Sequence, residues 1–159
     1  MNSQTMVKSQ TLWNFAVAFY AQPQVADTCL RLQDEYKANV CLLIALRWLD
    51  TCDQALSDEE FVALKTHVAA WTAQIVEPLR QLRRQLKSPF EPYQQDETQE
   101  QLRNAVKQAE LLAEKKLLEE IEHWMSKNVQ ASKANASSNI EDYIVELNAP
   151  KELLVVLCK

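Results

Sequence analysis

The segment Val40–Leu49 reads VCLLIALRWL, in which Arg47 is the only residue that is not apolar. A helix that is apolar nearly all round belongs at the centre of a bundle, because each of its faces needs a packing partner. We therefore predict a helix from Asn39 to about Asp53 in the middle of an all-α fold. The fold that we expect around it is an irregular or orthogonal bundle of five to seven helices.

Helices are also predicted on the N-terminal side of this segment. Thr11 to Ala21 should form one helix, and Val25 to Tyr36 should form the next after the break at Pro23. In the second helix, Leu30 belongs to the inward-facing set. The first helix carries two apolar stripes, so we expect it to be buried on two sides. Its stripes are Leu12, Phe15, Ala16 and Phe19, and Trp13, Val17 and Tyr20.

The clearest helix start lies on the C-terminal side of the central segment. Ser57 and Glu60 have the spacing of a capping box, and they predict a long helix that continues to Leu86. Pro78 lies inside it and should kink it near Gln74, because proline lacks the backbone donor and crowds the preceding turn. The apolar seam predicted for this helix is Phe61, Leu64, Val68, Trp71, Ile75, Leu79, Leu82 and Leu86.

A second long helix and two short ones are predicted in the remainder. Asp96 or Thr98 should cap a helix that runs to about Asn128. Residues 129–139 are small, polar and without periodicity, which predicts a flexible link. Ser138 should cap a short helix, and a last helix should begin at Pro150, although its apolar run could also be a strand. We expect residues 1–159 to form a single helical domain with a flexible N-terminus at residues 1–10.

The chain contains no glycine, whereas average usage would give about eleven in this length. Glycine supplies the positive φ values of tight hairpins, phosphate-binding loops and nucleophile elbows. The absence of glycine therefore disfavours nucleotide-binding and hydrolase chemistry. The formal net charge of −5 disfavours general nucleic-acid binding. We find no credible export signal and no apolar run long enough for a bilayer. We therefore expect a cytoplasmic protein with reduced cysteines, no cofactor and no membrane association.

The run Leu12–Leu49, with Pro78–Arg80, Arg83–Arg84, Lys107, Glu110–Leu111 and Ala113–Glu114, resembles a bacterial family of small helical proteins of unknown function. The resemblance extends over roughly Leu12 to Trp124. It implies an all-α fold and a cytoplasmic bacterial origin, and it supplies no activity. Members often carry glycine in the turn where this chain has Lys37–Ala38.

The strongest candidate site is the basic end of the helix that precedes the connector at Ser88. Arg80 and Arg84 lie four residues apart, as do Glu110 and Glu114 on the next predicted helix, so two antiparallel helices could form a charge network. The network could instead bind an anion or a partner. Cations at a helix end also complement the helix dipole, which is a purely structural explanation. The complete candidate set is Arg80, Arg83, Arg84, Lys107, Glu110 and Glu114.

Arg47 is a second candidate, because an arginine buried in the central helix needs a carboxylate or carbonyl partner. Asp50 or Asp27 could provide it, and we favour a structural ion pair over contact with a ligand. Asp50 and Asp53 also form a pair of the kind that binds magnesium diphosphate, but such enzymes need a second acidic cluster, and we favour simple solvation of the helix end as the explanation. Glu120 and His123 have the spacing of a di-iron ligand pair, but no second such pair follows, so we predict no metal site.

Three functions remain open. We favour a non-enzymatic interaction or regulatory module that offers a helical groove, or the basic Arg80–Lys87 face, to a cytoplasmic protein. The alternative is a small-molecule or anion binder, or an enzyme, that uses the arginines and glutamates between the two long helices. A deep pocket lined by Arg47, Arg84 or Glu114 would favour the alternative, and we do not expect nucleic-acid binding. The oligomeric state is left open by the sequence.

Overall fold

The structure of the chain, a computed structural model, describes residues 10–87, 96–129 and 138–159. In these ranges the chain forms helices and no β-strand, so the prediction of an all-α fold is confirmed. A π turn at Thr72–Val76 joins the helix Asp58–Trp71 directly to the helix Glu77–Lys87. The helices are α1 (Leu12–Tyr20), α2 (Val25–Tyr36), α3 (Val40–Thr51), α4 (Asp58–Trp71), α5 (Glu77–Lys87), α6 (Glu97–Asn128), α7 (Asn139–Glu146) and α8 (Leu153–Leu157).

Helix α3 lies at the centre of the bundle. Eight of its residues are buried, among them Leu43, Trp48 and Leu49, and it packs against α1, α2, α6 and α7. This arrangement follows from the sequence, because an apolar surface on every side can be satisfied only by neighbours on every side. The buried side chains of α3 join those of the surrounding helices in one hydrophobic cluster. The organisation of residues 1–159 as a single domain stays a prediction.

Side-chain caps fix where the helices begin. The oxygens of Thr11, Asn39, Asp96 and Ser138 each accept a hydrogen bond from a backbone N–H in the first turn of the following helix. Ser57 and Glu60 form the predicted capping box. Thr11 and Asn39, which the periodicity placed inside their helices, are the capping residues instead, since a cap must leave helical geometry to reach the first turn.

Without glycine, other residues must adopt the left-handed backbone conformation. Gln24, Lys37, Asp53 and Asn148 have φ values between 53° and 68°. Each lies beside a helix end, where this conformation turns the chain out of or into the helix. Lys37 ends α2 with φ 60° and ψ 28°, and its backbone N–H donates to Leu32 O. It occupies the turn where the family resemblance leads us to expect glycine.

Lys37→Gly is expected to raise the free energy of unfolding by about 0.5 kcal/mol. A left-handed residue with a Cβ costs about 1–2 kcal/mol, and glycine recovers that cost less the extra entropy of the unfolded chain. The matched control is Lys116→Gly, in the exposed middle of α6, which should lower stability by about 1 kcal/mol. Urea unfolding of both variants measures the difference, and a destabilised Lys37→Gly protein would contradict the reasoning.

The π turn changes which side chains of the long α4–α5 helix are buried. Upstream of the turn, Leu64 and Val68 are buried as predicted, whereas Trp71 is 37% exposed. Within the turn Val76 is buried and Ile75 is 37% exposed, and downstream of it Arg80 is buried. A π turn contains an additional residue per turn, so every later position is rotated relative to a continuous α-helix. The predicted burial of Trp71, Ile75 and Leu82 is wrong, and the change of phase at the π turn is the reason for Ile75 and Leu82. The turn is centred on Gln74, the place where Pro78 predicted an irregularity.

The C-terminal helices dock onto the central ones. Helix α7 packs on α3, and α8 packs on α2, so the strand alternative for the last apolar run is wrong. Most of the predicted flexible N-terminus and link lies outside the described residues. The prediction of flexibility is wrong at the two ends of the link, because Val129 is buried in the core and Asn139 is the first residue of α7. In the described ranges, we find no helix that is both long and apolar enough to cross a membrane.

Candidate functional site

Helices α5 and α6 hold a network of two arginines and three carboxylates. The Arg80 guanidinium donates to Glu77, lies 3.5 Å from Glu110 Oε1 through Nε, and donates from Nη2 to Glu114 Oε1 at 3.4 Å. Arg83 donates to both oxygens of Glu110, with Nη2 to Oε1 at 3.2 Å. Arg80 and Glu110 are only 8% and 6% exposed, so the centre of the network is shielded from water.

The π turn places Arg80 in this network. In a continuous α-helix the buried position after Val68 and Ile75 would be Leu79, and Arg80 would lie beside it. The extra residue in the turn rotates Val76 and then Arg80 toward α6 instead. The side-chain hydroxyl of Thr72 donates to Val68 O and accepts from Asn39 Nδ2, which ties the turn to the start of α3. The network thus depends on a local backbone irregularity.

The predicted charge network is present, but its members pair differently from the prediction. The sequence predicted that Arg80 and Arg84 face Glu110 and Glu114. In the structure the second arginine of the network is Arg83, which pairs with Glu110. Arg84 points to α2, where its Nη2 donates to Asp34 Oδ1 at 2.5 Å on the surface. Three of the four cations of the Arg80–Lys87 face therefore have intramolecular carboxylate partners. Lys107 is exposed and has no ion pair within 4 Å among the described residues.

A pocket of about 650 Å³ lies next to the network. Its walls are mainly apolar, and its polar residues cluster where α5 and α6 meet, so it combines an apolar body with a charged end. It reaches from α1, α2 and α3 on one side to α5 and α6 on the other. The residues that line it are Trp13, Ala16, Val17, Tyr20, Ala21, Leu30, Gln33, Val40, Cys41, Ile44, Arg80, Arg83, Lys107, Gln108, Glu110, Leu111, Glu114 and Leu118.

The second stripe of α1 forms one wall of this pocket. Trp13 is half-buried, and Val17 and Tyr20 are 52% and 38% exposed, so the prediction that α1 is buried on two sides is wrong. Leu30, which was expected to face inward, is 40% exposed and lines the same pocket. An apolar stripe requires removal from water, but the sequence cannot distinguish a packed neighbour from an open pocket.

Glu114 is the less compensated of the two carboxylates that line the pocket. Its side chain is 29% exposed, and Oε1 receives the single 3.4 Å hydrogen bond from Arg80. Burial raises the pKa of the Glu114 carboxyl, and the nearby Glu110 carboxylate raises it further, against the lowering effect of Arg80 and Arg83. In Arg83, by contrast, hydrogen bonding to Glu110 raises the pKa, so its guanidinium remains charged. The pocket therefore contains a partly buried carboxylate that can accept a further hydrogen bond.

Other titratable groups near the pocket are held neutral. Burial raises the pKa of the Tyr20 hydroxyl, with a further contribution from Cys29 and Glu114. Burial also raises the pKa of the Cys29 thiol to about 12 and strongly raises that of Cys41, whose Sγ lies 4.0 Å from Glu114 O. Thiolate is the nucleophilic form of cysteine, so neither thiol is activated at neutral pH.

Arg47 does not occupy the buried position that was predicted for it. It is partly exposed, and the pocket does not include it among its lining residues. Asp50, its expected partner, instead accepts hydrogen bonds from the backbone of Asn139 at 2.7 Å and of Ile140 at 3.1 Å, where α7 begins. Asp50 thus belongs to the docking of α7, because first-turn N–H groups need acceptors.

The two metal-binding patterns of the sequence have other contacts. Asp53 takes the left-handed conformation just after α3, while Asp50 faces α7. Glu120 accepts a hydrogen bond from Lys116 at 2.5 Å. No group of three or more histidine, cysteine, aspartate or glutamate side chains suited to a metal ion occurs in residues 10–87, 96–129 and 138–159.

A family model whose description reads "Protein of unknown function (DUF2390)" matches residues 11–121. The chain belongs to this family. The DUF2390 match takes in α1 to α5 and most of α6, and it therefore covers every residue that lines the pocket. The predicted resemblance to an uncharacterised helical family is confirmed. No curated protein and no solved structure matches the chain.

Proposed function

We propose that this chain is a binding protein for a small amphipathic organic molecule, held in the pocket between α1, α3, α5 and α6. The observation that carries the proposal is a pocket of about 650 Å³ whose apolar walls converge on buried charged groups. Ligand sites have volumes of about 300–1,000 Å³ and join mostly apolar walls to a few fixed polar groups. This is the alternative that the sequence analysis held second.

The fixed charges of the pocket are well suited to orient a ligand. Arg80 and Glu110 are each less than a tenth exposed and form an ion pair with each other, and Arg83 donates to both oxygens of Glu110. Paired charges in a dry environment have one arrangement, so they present a defined polar surface rather than mobile side chains. The apolar walls supply the free energy of binding, and the network supplies the orientation.

Docking of a partner protein is the second candidate, and it was favoured by the sequence. The observation that supports it is the set of exposed apolar side chains at the pocket, which includes Val17, Leu30 and Leu111. An amphipathic helix from a cytoplasmic protein could cover them. The Arg80–Lys87 face supports this candidate less well, because intramolecular carboxylates already neutralise Arg80, Arg83 and Arg84. A cytoplasmic location belongs to the same proposal, and it is supported by the inert buried thiols of Cys29 and Cys41.

The binding proposal is tested with N-phenyl-1-naphthylamine, an uncharged probe that fluoresces in apolar sites. We expect saturable binding of one probe molecule per chain. Val17→Trp should weaken the binding at least about tenfold, because a large ring at this pocket position fills space that the probe needs. Val145→Trp is the matched control, since Val145 is also 52% exposed and lies on α7 outside the pocket.

The two variants make the experiment decisive. Binding that survives Val145→Trp and is lost in Val17→Trp supports the proposed site. The proposal fails if the probe does not bind saturably, or if both variants bind it as tightly as the unmodified protein does. Circular dichroism should show the same helical content in all three proteins, because both substitutions are at half-exposed positions.

A further inference from the structure

The carboxylates of the charge network outnumber its arginines. Arg80 and Arg83 together face Glu77, Glu110 and Glu114. Glu110 receives both guanidinium groups, and Glu77 receives the Arg80 Nη1 donor. Glu114 receives only the long Nη2 contact on Oε1, and its Oε2 has no hydrogen bond from the described residues. Glu114 Oε2 is therefore open to a donor from a ligand, and a donor with positive charge suits a carboxylate best.

An anionic ligand is the poorer match to the same groups. Each guanidinium already has a carboxylate partner, so an anion would have to compete with Glu110 for Arg80 or Arg83. Lys107 is the pocket cation without such a partner among the described residues, but it is exposed at the rim. An exposed lysine contributes little to affinity, because water and salt screen it.

The aromatic side chains of the pocket favour a cation as well. Trp13 and Tyr20 line it from α1. The ring of Trp13 already attracts one cation, since Lys115 Nζ lies 5.4 Å from its centroid. Aromatic faces attract ammonium groups through the ring quadrupole. The apolar remainder of the pocket would hold the hydrocarbon part of such a ligand.

We infer that the pocket takes an organic amine, whose ammonium group donates to Glu114 while its apolar body packs against the walls contributed by α1 and α3. The inference rests on the proposed function, because it names the ligand class for the same pocket. Binding involves no covalent step. Glu114 acts as the specificity-determining residue, and Arg80, which holds its Oε1, acts as a positioning residue.

The test compares three probes that share an aromatic body and differ in the polar group: 2-phenylethylamine, 2-phenylethanol and 3-phenylpropanoate. Isothermal titration calorimetry with the full chain should show the amine binding about tenfold more tightly than the alcohol, since a charge-assisted hydrogen bond contributes about 1.5–3 kcal/mol. The carboxylate should bind most weakly. Glu114→Gln should remove the amine's advantage and leave the alcohol's affinity unchanged, which also shows that the pocket is intact.

The control variant is Glu119→Gln, an exposed carboxylate on the same helix and outside the pocket, which should leave all three affinities unchanged. If the alcohol or the carboxylate binds as tightly as the amine, the inferred ligand class is wrong while the proposed binding function stands. If the amine keeps its advantage in Glu114→Gln, the inference is overturned as well. If none of the three probes binds although N-phenyl-1-naphthylamine does, the inference fails and the proposed function stands; if N-phenyl-1-naphthylamine does not bind either, both fail.

Affinity for the amine should also increase with pH. The pKa of Glu114 is raised, so part of the carboxyl population keeps its proton above the usual range and becomes available to an ammonium as the pH rises. The amine stays protonated between about pH 5 and about pH 8, and the alcohol's affinity should not change. An affinity for the amine that falls as the pH rises through this range would contradict the role of Glu114. The groups that face Glu114 are Arg80, Arg83, Glu110, Cys41 and Tyr20.

Discussion

Glu110→Gln is expected to lower the free energy of unfolding by about 3 kcal/mol. The substitution keeps the shape of the side chain and removes the charge that holds Arg80 and Arg83. Breaking a buried ion pair by removing one partner costs about 3–5 kcal/mol, because the remaining charge is left in a poorly solvated site. Arg80 is only 8% exposed, and its contacts with Glu77 and Glu114 compensate it in part, which places the expected value at the low end.

Urea unfolding, followed by circular dichroism, measures this loss, and Glu119→Gln serves as the control. Glu119 lies on the same helix at an exposed position, so its replacement should change stability by less than about 0.5 kcal/mol. An equal, small effect of the two variants would show that the network is solvated and contributes little. The unfolding slope should remain unchanged, because a change there would mean that the variant alters the unfolded state rather than the network.

The sequence predicted the helices well because their signals are local. The start of α4 is a capping box of Ser57 and Glu60, and the central position of α3 follows from its composition alone. Both signals act within a few residues and depend little on the rest of the fold. Helix α2 was predicted with its observed boundaries, Val25–Tyr36, because Pro23 precedes it and its polar face is continuous.

From the π turn onward, the predicted seam of the long helix failed for a physical reason. Pro78 indicates that the regular pattern of helical hydrogen bonds is interrupted, but it does not indicate whether the helix bends or forms a π turn. The π turn shifts burial from Ile75 to Val76 and brings Arg80 into the network. Only a few helical turns follow the π turn, so the spacing of apolar residues there is too short to show that the helix has shifted by one residue.

The candidate site was found in part. Spacing on each helix identified Arg80, Glu110 and Glu114, because i, i+4 pairs share a face. The choice between Arg83 and Arg84 depends on helix phase, and the pairing of Arg84 with Asp34 depends on a long-range contact. The pocket walls were missed for another reason, since an apolar stripe such as that of α1 has the same pattern whether it is packed or open.

Asn139→Ala is expected to lower the free energy of unfolding by about 3 kcal/mol and to loosen α7. The Asn139 side chain is 6% exposed and connects three parts of the chain. Its Nδ2 donates to Asp50 Oδ1 at 2.9 Å and to Gln54 O at 2.7 Å, and its Oδ1 accepts from Leu56 N at 2.9 Å. Alanine removes three hydrogen bonds of about 1 kcal/mol each and leaves buried backbone groups without these partners.

Two measurements separate the docking of α7 from general stability. Urea unfolding gives the total loss, and hydrogen exchange of the α7 backbone amides reports whether this helix opens separately from α3, on which it packs. Asn128→Ala is the control, because its side chain makes an exposed local hydrogen bond to Trp124 O and should contribute less than about 0.5 kcal/mol. If α7 in Asn139→Ala retains the protection of the unmodified protein, the hydrogen bonds around Asp50 do not anchor this helix. The sequence could not predict the anchor, since Asp50 and Asn139 lie far apart in the chain and neither follows an apolar pattern.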